Sequence, residues 1–229
     1  MNRRFALAAA LAAISITAAP ALAAPKKAAA KPAPKPVPLP DTVRVAMVTE
    51  KGTIELDLDH KRAPITVANF VRYVDARKFD GMTFYRAMRL NWGTQPNGLI
   101  QTGLQSNPLK VFKPIAHEPT SQTGILHKAG AVSMARYAPG TAMADFSILL
   151  ADLPSLDADP KSTNAESQAG FAAFGHVVSG MDVVKAIWDS PVSPTKGEGP
   201  LKGQMLEPPV KVLTVRRVAI PAAPSAVTP

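Results

Sequence analysis

Residues 41–220 predict a mainly β domain, a barrel or a sandwich with helices at its ends. Three observations carry this. Short β-rich runs recur along the chain, only two segments have a helical period, and the connections are long and irregular. A parallel α/β fold would need a helical crossover between most of its strands.

The elements follow in order. Val43–Val48 and Thr53–Leu58 are β-rich runs around Glu50-Lys51-Gly52, which predicts a hairpin. In the second run Ile54, Leu56 and Leu58 alternate with Glu55 and Asp57, giving one buried and one wet face. The period changes over Ala63–Asp75, where Val67, Phe70, Val71 and Val74 recur at helical spacing behind Pro64, a residue suited to a helix start. Phe79-Asp80-Gly81 reads as a turn and Met82–Met88 as a strand. Further strands are expected at Ala131–Ala135, Phe146–Leu150, Phe171–Phe174 and Val210–Val218, with a second helix at Met181–Trp188. Gly197–Gly203 reads as a flexible connection before the closing strand, and Phe84, Phe146 and Phe174 as core aromatics.

The ends have a different composition. Met1–Ala24 has a basic start at Arg3 and Arg4, an apolar run from Phe5 to Ala19 and small residues at Ala21-Leu22-Ala23, the pattern of a cleaved secretory signal. Residues 25–40 alternate Lys, Ala and Pro, a composition that builds no core and favours extended conformations, and residues 221–229 read as a similar tail. A signal without a later membrane anchor implies export to the periplasm of a Gram-negative cell, or full secretion, without stable membrane insertion. The chain has no cysteine, which removes disulfides and lipid-linked cysteine alike.

Composition also excludes function classes. The net charge of +9 falls to +3 when residues 1–40, with six basic side chains and no acid, are set aside. A nucleic-acid partner thereby loses its electrostatic support. His60, His117, His127 and His176 lack metal-ligand spacing, so neither a metal nor a cofactor is expected. The Gly197–Gly203 segment lacks the Gly-Lys-Ser/Thr ending of a phosphate loop, and Ser133 sits in no Gly-x-Ser-x-Gly elbow.

The segment Ala63–Arg86 (APITVANFVRYVDARKFDGMTFYR) resembles the N-terminal signature of cyclophilin-type peptidyl-prolyl cis-trans isomerases. Four later stretches are similar to that family in the same order: Leu99–Gly103 (LIQTG), Gly130–Arg136 (GAVSMAR), Asp145–Ile148 (DFSI) and Phe171–Val184 (FAAFGHVVSGMDVV). The resemblance implies a closed barrel of about eight antiparallel strands capped by two helices, and rotation of X–Pro peptide bonds in proline-containing polypeptides. It implies that Arg86 is the electrostatic catalyst and that Gln101 binds substrate backbone and orients it. Leu99, Ala135, Arg136, Ser147 and Phe171 are the further substrate-binding residues it implies. Nothing calls for an obligate assembly, and a monomer is expected.

The chain departs from the family around the proline pocket. Ser147 stands where a phenylalanine forms the pocket floor, Asp145 where a glutamine stands, and Gly98 where an aromatic precedes the residue matched by Leu99. Asp145 is expected to pair with Arg86 or Arg136, and Trp92, in a lengthened segment between Arg86 and Gln101, is a candidate to restore apolar surface. These departures leave a second reading, a non-catalytic peptide-binding or chaperone-like member of the same fold.

Overall fold

The computed structural model describes residues 38–221. The signal segment, most of the Lys/Ala/Pro-rich leader and residues 222–229 lie outside the described residues. Within the leader's last three residues, Leu39 already packs against the core.

Eight strands close a barrel in the order β1 (Thr42–Thr49), β2 (Gly52–Asp59), β7 (Ala173–Ser179), β5 (Ala131–Met134), β6 (Phe146–Leu149), β4 (Gly98–Gly103), β3 (Thr83–Arg89) and β8 (Met205–Arg217), every pairing antiparallel. Closure removes the free edges that an open sheet would expose. Strands β1 (Thr42–Thr49) and β2 (Gly52–Asp59) form the expected hairpin, in register from Thr42↔Asp59 to Thr49↔Gly52. Ile54, Leu56 and Leu58 point into the core and are fully buried.

Helix α1 (Pro64–Asp75) lays Val67, Phe70, Val71 and Val74 on the barrel. Phe70 is the hub of the aromatic core, with ring centroids 5.0 Å from Phe79, 5.1 Å from Phe146 and 5.5 Å from Phe174. Ala63 offers no side chain to cap this helix. The cap comes from Glu118, 1% exposed, which accepts from Ile65 N (3.1 Å), Thr66 N (2.7 Å) and Thr66 Oγ1 (2.7 Å). A buried carboxylate at a helix N-terminus satisfies orphan N–H groups and meets the positive end of the helix dipole.

Strands β3 (Thr83–Arg89) and β4 (Gly98–Gly103) flank the inserted loop, and β5 (Ala131–Met134) and β6 (Phe146–Leu149) complete that side of the barrel. Two short helices, α2 (Thr120–Thr123) and α3 (Ala165–Ala169), lie in the connections, and α4 (Met181–Trp188) closes one end as expected.

Three sequence expectations need correction. The strand expected at Phe171–Phe174 is β7 (Ala173–Ser179), because Gly170 has φ 56° and Phe171 N bonds Leu156 O instead of a strand partner. Its second half is largely exposed yet pairs with β2 as far as Glu55↔Ser179, so the apolar signal stops before the strand does. The closing strand β8 (Met205–Arg217) begins five residues before Val210, running through Pro208-Pro209 to pair Met205 with Arg86. The Gly197–Gly203 connection is a hydrogen-bonded turn, closed by Leu201 N on Glu198 O (3.0 Å) and Gly203 N on Lys196 O (3.0 Å).

Candidate active site

The site starts from a defect in β3. Phe84 pairs with Thr102 and Arg86 with Gln101, so Tyr85 is an extra residue, and the pairing with β8 shifts at the same point. Such a bulge bends the strand and re-aims its side chains. Phe84 stays in the core, while Tyr85 and Arg86, neighbours in sequence, both line an open cleft of about 380 Å³. Gln101, Gln105, Ser106, Ala135, Arg136 and Asp145 line it with them, and Met143, Leu201 and Met205 add apolar surface.

Two neutral side chains hold the Arg86 guanidinium. Its Nη1 donates to Gln101 Oε1 at 2.8 Å, and its Nε donates to Gln204 Oε1 at 2.8 Å. Gln204 in turn donates through Nε2 to Pro200 O at 2.8 Å, so the glycine-rich turn positions this partner. Among the described residues no carboxylate lies within ion-pair distance of Arg86. Burial lowers its pKa below the ordinary guanidinium value, and an arginine side chain stays charged at neutral pH.

Asp145 pairs with neither arginine. It accepts the Tyr85 hydroxyl at 3.0 Å and the backbone amides of Gln105 (2.9 Å) and Ser106 (3.3 Å). Desolvation first, and then the Asp145 charge, push the Tyr85 hydroxyl well above its ordinary pKa and keep it protonated. Arg136 turns away from Asp145, donating to Glu166 Oε2 (2.9 Å), Gly170 O (2.6 Å) and Tyr137 O (3.0 Å), with its guanidinium 4.6 Å over the Phe171 ring.

The structure thus brings Arg86, Gln101, Ala135 and Arg136 to one cleft and leaves Leu99, Ser147 and Phe171 outside its lining. Leu99 is 6% exposed and packs with Ala131, Leu149 and Leu153, the last contributed by the loop that covers it. Ser147 lies in a cross-barrel row, opposite Gln101 on one side and Ser133 on the other. Phe171 is spent on the Arg136 stack. Trp92 is 56% exposed on the inserted loop and does not line the cleft. Gly98 stands where the resembling family carries an aromatic, and a Cβ there would lie 2.0 Å from Met88 O. The Trp188 indole, donating to Met88 O at 3.0 Å, fills the adjacent space.

Sequence reasoning missed Tyr85 and Gln204 as site residues. The Tyr85 signal was the doublet with Arg86, which only a bulge aims in one direction. Gln204 is 118 residues from Arg86, and no local pattern marks it.

Beyond the cleft, His127 joins Ser133 and Asp157. Its Nδ1 is 2.7 Å from Asp157 Oδ1 and its Nε2 is 2.8 Å from Ser133 Oγ. Burial lowers the imidazole pKa against the opposing pull of Asp157. The carboxylate only accepts, so Nδ1 carries the proton and Nε2 accepts from Ser133. The order resembles a hydrolase triad, but Ser133 is 3% exposed and His127 is 1% exposed, so no substrate reaches the hydroxyl. The group is a buried polar brace between β5 and the loop after β6.

Comparisons with known proteins agree with this architecture. The sequence model of the family described as cyclophilin type peptidyl-prolyl cis-trans isomerase/CLD matches residues 44–216. A peptidyl-prolyl cis-trans isomerase of Acinetobacter baylyi is 33% identical over 183 residues, covering 78% of this chain and 87% of the relative. Peptidyl-prolyl cis-trans isomerase A of Dickeya dadantii is 33% identical over 150 residues, covering 64% and 71%. A cyclophilin-type structure from Cryptosporidium parvum superposes with a TM-score of 0.61 at 16% identity, covering 79% of this chain and 99% of its own. A second structure of that protein was determined in the presence of the dipeptide Ala-Pro. From the matched residues, the barrel and these relatives together, the chain belongs to the cyclophilin-type peptidyl-prolyl cis-trans isomerase family.

Proposed function

We propose that the protein is a peptidyl-prolyl cis-trans isomerase acting on X–Pro bonds of exported polypeptides, with Arg86 as its electrostatic catalyst. One observation carries this reading: a charged guanidinium, held by two neutral carboxamide oxygens and, among the described residues, by no carboxylate, faces an open cleft.

The chemistry follows from the amide. Resonance sets a barrier of about 18–20 kcal/mol to rotation. At the perpendicular geometry that resonance is lost and the proline nitrogen regains its lone pair. A fixed donor aimed at that nitrogen binds the twisted state better than either planar state, which is the condition for rate enhancement. Neutral partners matter here, because a carboxylate would cancel the charge that the lone pair meets. Gln101 and Gln204 fix the fork without neutralising it. β5 stops at Met134, so Ala135 and Arg136 run along the cleft outside any strand, where their backbone can meet an extended peptide. No nucleophile or metal is required.

The leader composition supports action outside the cytoplasm, in the periplasm, on proteins whose prolines isomerise slowly during folding. Monomeric action is part of this reading. A second reading, a peptide-binding module without catalysis, is favoured by the exclusion of Leu99, Ser147 and Phe171 from the cleft.

A proline-peptide isomerisation assay separates the two readings. The wild-type domain should accelerate exchange, and Arg86→Ala should lower kcat/KM by about 10²–10³, the loss typical of one transition-state donor. Arg86→Lys should recover little, since the ammonium cannot span both carboxamides. Equal rates for wild type and Arg86→Ala, or no rate above the uncatalysed one, would leave only the binding module.

A further inference from the structure

We propose that Asp145 is a specificity-determining residue, whose carboxylate selects polypeptides that carry a lysine or arginine near the proline, on one side of it. The inference rests on the isomerase reading and names the substrate class of that cleft.

The cleft keeps its charges apart. Among the described residues that line it, Asp145 is the single acid, beside Arg86 and Arg136. Neither arginine pairs with it. Arg86 is held by Gln101 and Gln204, each at 2.8 Å, and Arg136 donates to Glu166 Oε2 at 2.9 Å. No other cation of the described residues lies within ion-pair distance of Asp145.

Neutral donors hold the carboxylate without cancelling its charge. Oδ1 accepts from the Tyr85 hydroxyl (3.0 Å) and from Gln105 N (2.9 Å), and a Cβ at Gly103 would lie 2.6 Å from it. Oδ2 accepts, among the described residues, only from Ser106 N at 3.3 Å. A carboxylate offers about four lone-pair sites, so Oδ1 is filled and Oδ2 keeps a free one. Gln105 and Ser106 have φ of 50° and 54°, a left-handed pair that directs both amides at this group. At 9% exposure Asp145 is weakly screened by water, so a cation brought by the bound chain meets a strong acceptor.

Register decides which substrate residue supplies that cation. Gln101 pairs with Arg86 on β3 and with Ser147 on β6, so one row crosses the barrel at the catalyst. Asp145 precedes Ser147 by two residues, and the bond from Ala135 N to Asp145 O (2.8 Å) continues the β5–β6 ladder to it. At the rise of an extended chain that is roughly 7 Å from the row. An extended peptide beside Ala135 advances by the same rise, so the carboxylate stands roughly two residues from the proline, on one flank only. A glutamate there meets like charge, which weakens binding.

The test is a set of proline peptides in which one residue at a time, at three positions on either side of the proline, is Lys or Glu. On one flank the wild-type kcat/KM should favour Lys over Glu by about tenfold, the size of one charge-assisted hydrogen bond. Asp145→Asn retains an oxygen for Gln105 N and removes the charge. It should bring the Lys/Glu ratio to within about twofold at every position, whatever its overall rate. Added salt should shrink the wild-type ratio, a check that does not depend on how the variant folds. A wild-type ratio near one at all positions, a ratio that survives in Asp145→Asn, or one unmoved by salt overturns the proposal. If no peptide is isomerised above the uncatalysed rate, the function proposed above falls. Dissociation constants of the same Lys and Glu peptides, wild type against Asp145→Asn, then decide the selectivity on their own.

Discussion

Gly98 shows how a single residue decides what packs at the start of β4. Its φ is 137°, and a Cβ would meet the Met88 carbonyl at 2.0 Å, the same oxygen that accepts the Trp188 indole N–H at 3.0 Å. The position is therefore closed to side chains, and the space beside it is filled by a tryptophan 90 residues later. Gly98→Ala should destabilise the domain by about 2–3 kcal/mol, combining a strained backbone with overpacking against a carbonyl. Urea unfolding followed by tryptophan fluorescence measures it, because the Trp188 contact should loosen together with the loss of stability. An unchanged midpoint and an unchanged Trp188 signal would mean that β3 and β4 separate at no cost. Arg86 and Gln101, by contrast, could be placed from their motifs, because the residues around each keep the spacing of a known family. Asp145 was visible as a departure, but its partner was not. The choice of Tyr85 over Arg86 depends on a bulge and on two amides with positive φ, and no residue spacing encodes those.

At the scale of elements, α1 was legible because its buried stripe repeats every three or four residues, and the β1–β2 hairpin because its apolar residues alternate. What the chain does at the start of α1 was not legible. The cap is Glu118, more than fifty residues away and buried among loops. The residue at the cap position, Ala63, has no side-chain acceptor, and nothing near it in sequence points to Glu118. Strand β7 was mislocated for a related reason: its second half is held by hydrogen bonds to β2 rather than by apolar burial. Glu118→Ala leaves two backbone N–H groups and the Thr66 hydroxyl in a buried site without their acceptor. The expected loss is about 2–4 kcal/mol, the sum of a missing cap and buried unsatisfied donors. Glu118→Gln should lose less, since one oxygen remains to accept. Differential scanning calorimetry on the three proteins ranks them. A melting temperature for Glu118→Ala equal to that of the wild type would show that α1 is held by its apolar face alone.

For the whole molecule, the barrel's response to acid follows from groups that stay in one protonation state as long as the fold holds. His127 has a native pKa below its unfolded value of about 6.5, because burial disfavours the imidazolium more than Asp157 favours it. The unfolded chain therefore binds that proton more readily. The stabilisation is complete above about pH 6.5 and is lost as pH falls through the interval between the unfolded and the lower native value. Asp57, paired with Arg44, and Asp80, paired with Arg216, are shifted below the usual 3.8 by those hydrogen bonds. Their stabilisation is present above that value and is lost only in stronger acid. Two separate declines are expected in urea midpoints measured from pH 8 to pH 3. The first, below about pH 6.5, should have a slope of at most ~1.4 kcal/mol per pH unit, the limit for one proton. His127→Gln should remove the first decline and leave the second, because the replacement side chain does not titrate while both aspartate pairs remain. The brace formed by Ser133, His127 and Asp157 ties β5 to the loop that covers Leu99, so its protonation should also expose that apolar cluster. Hydrogen exchange at Leu153 N, which bonds His127 O at 2.8 Å, should then quicken at pH 5.5 relative to its neighbours in β6 after correction for intrinsic rates. If His127→Gln keeps the same slope between pH 6.5 and pH 5, the buried imidazole is not the group that couples this fold to acid.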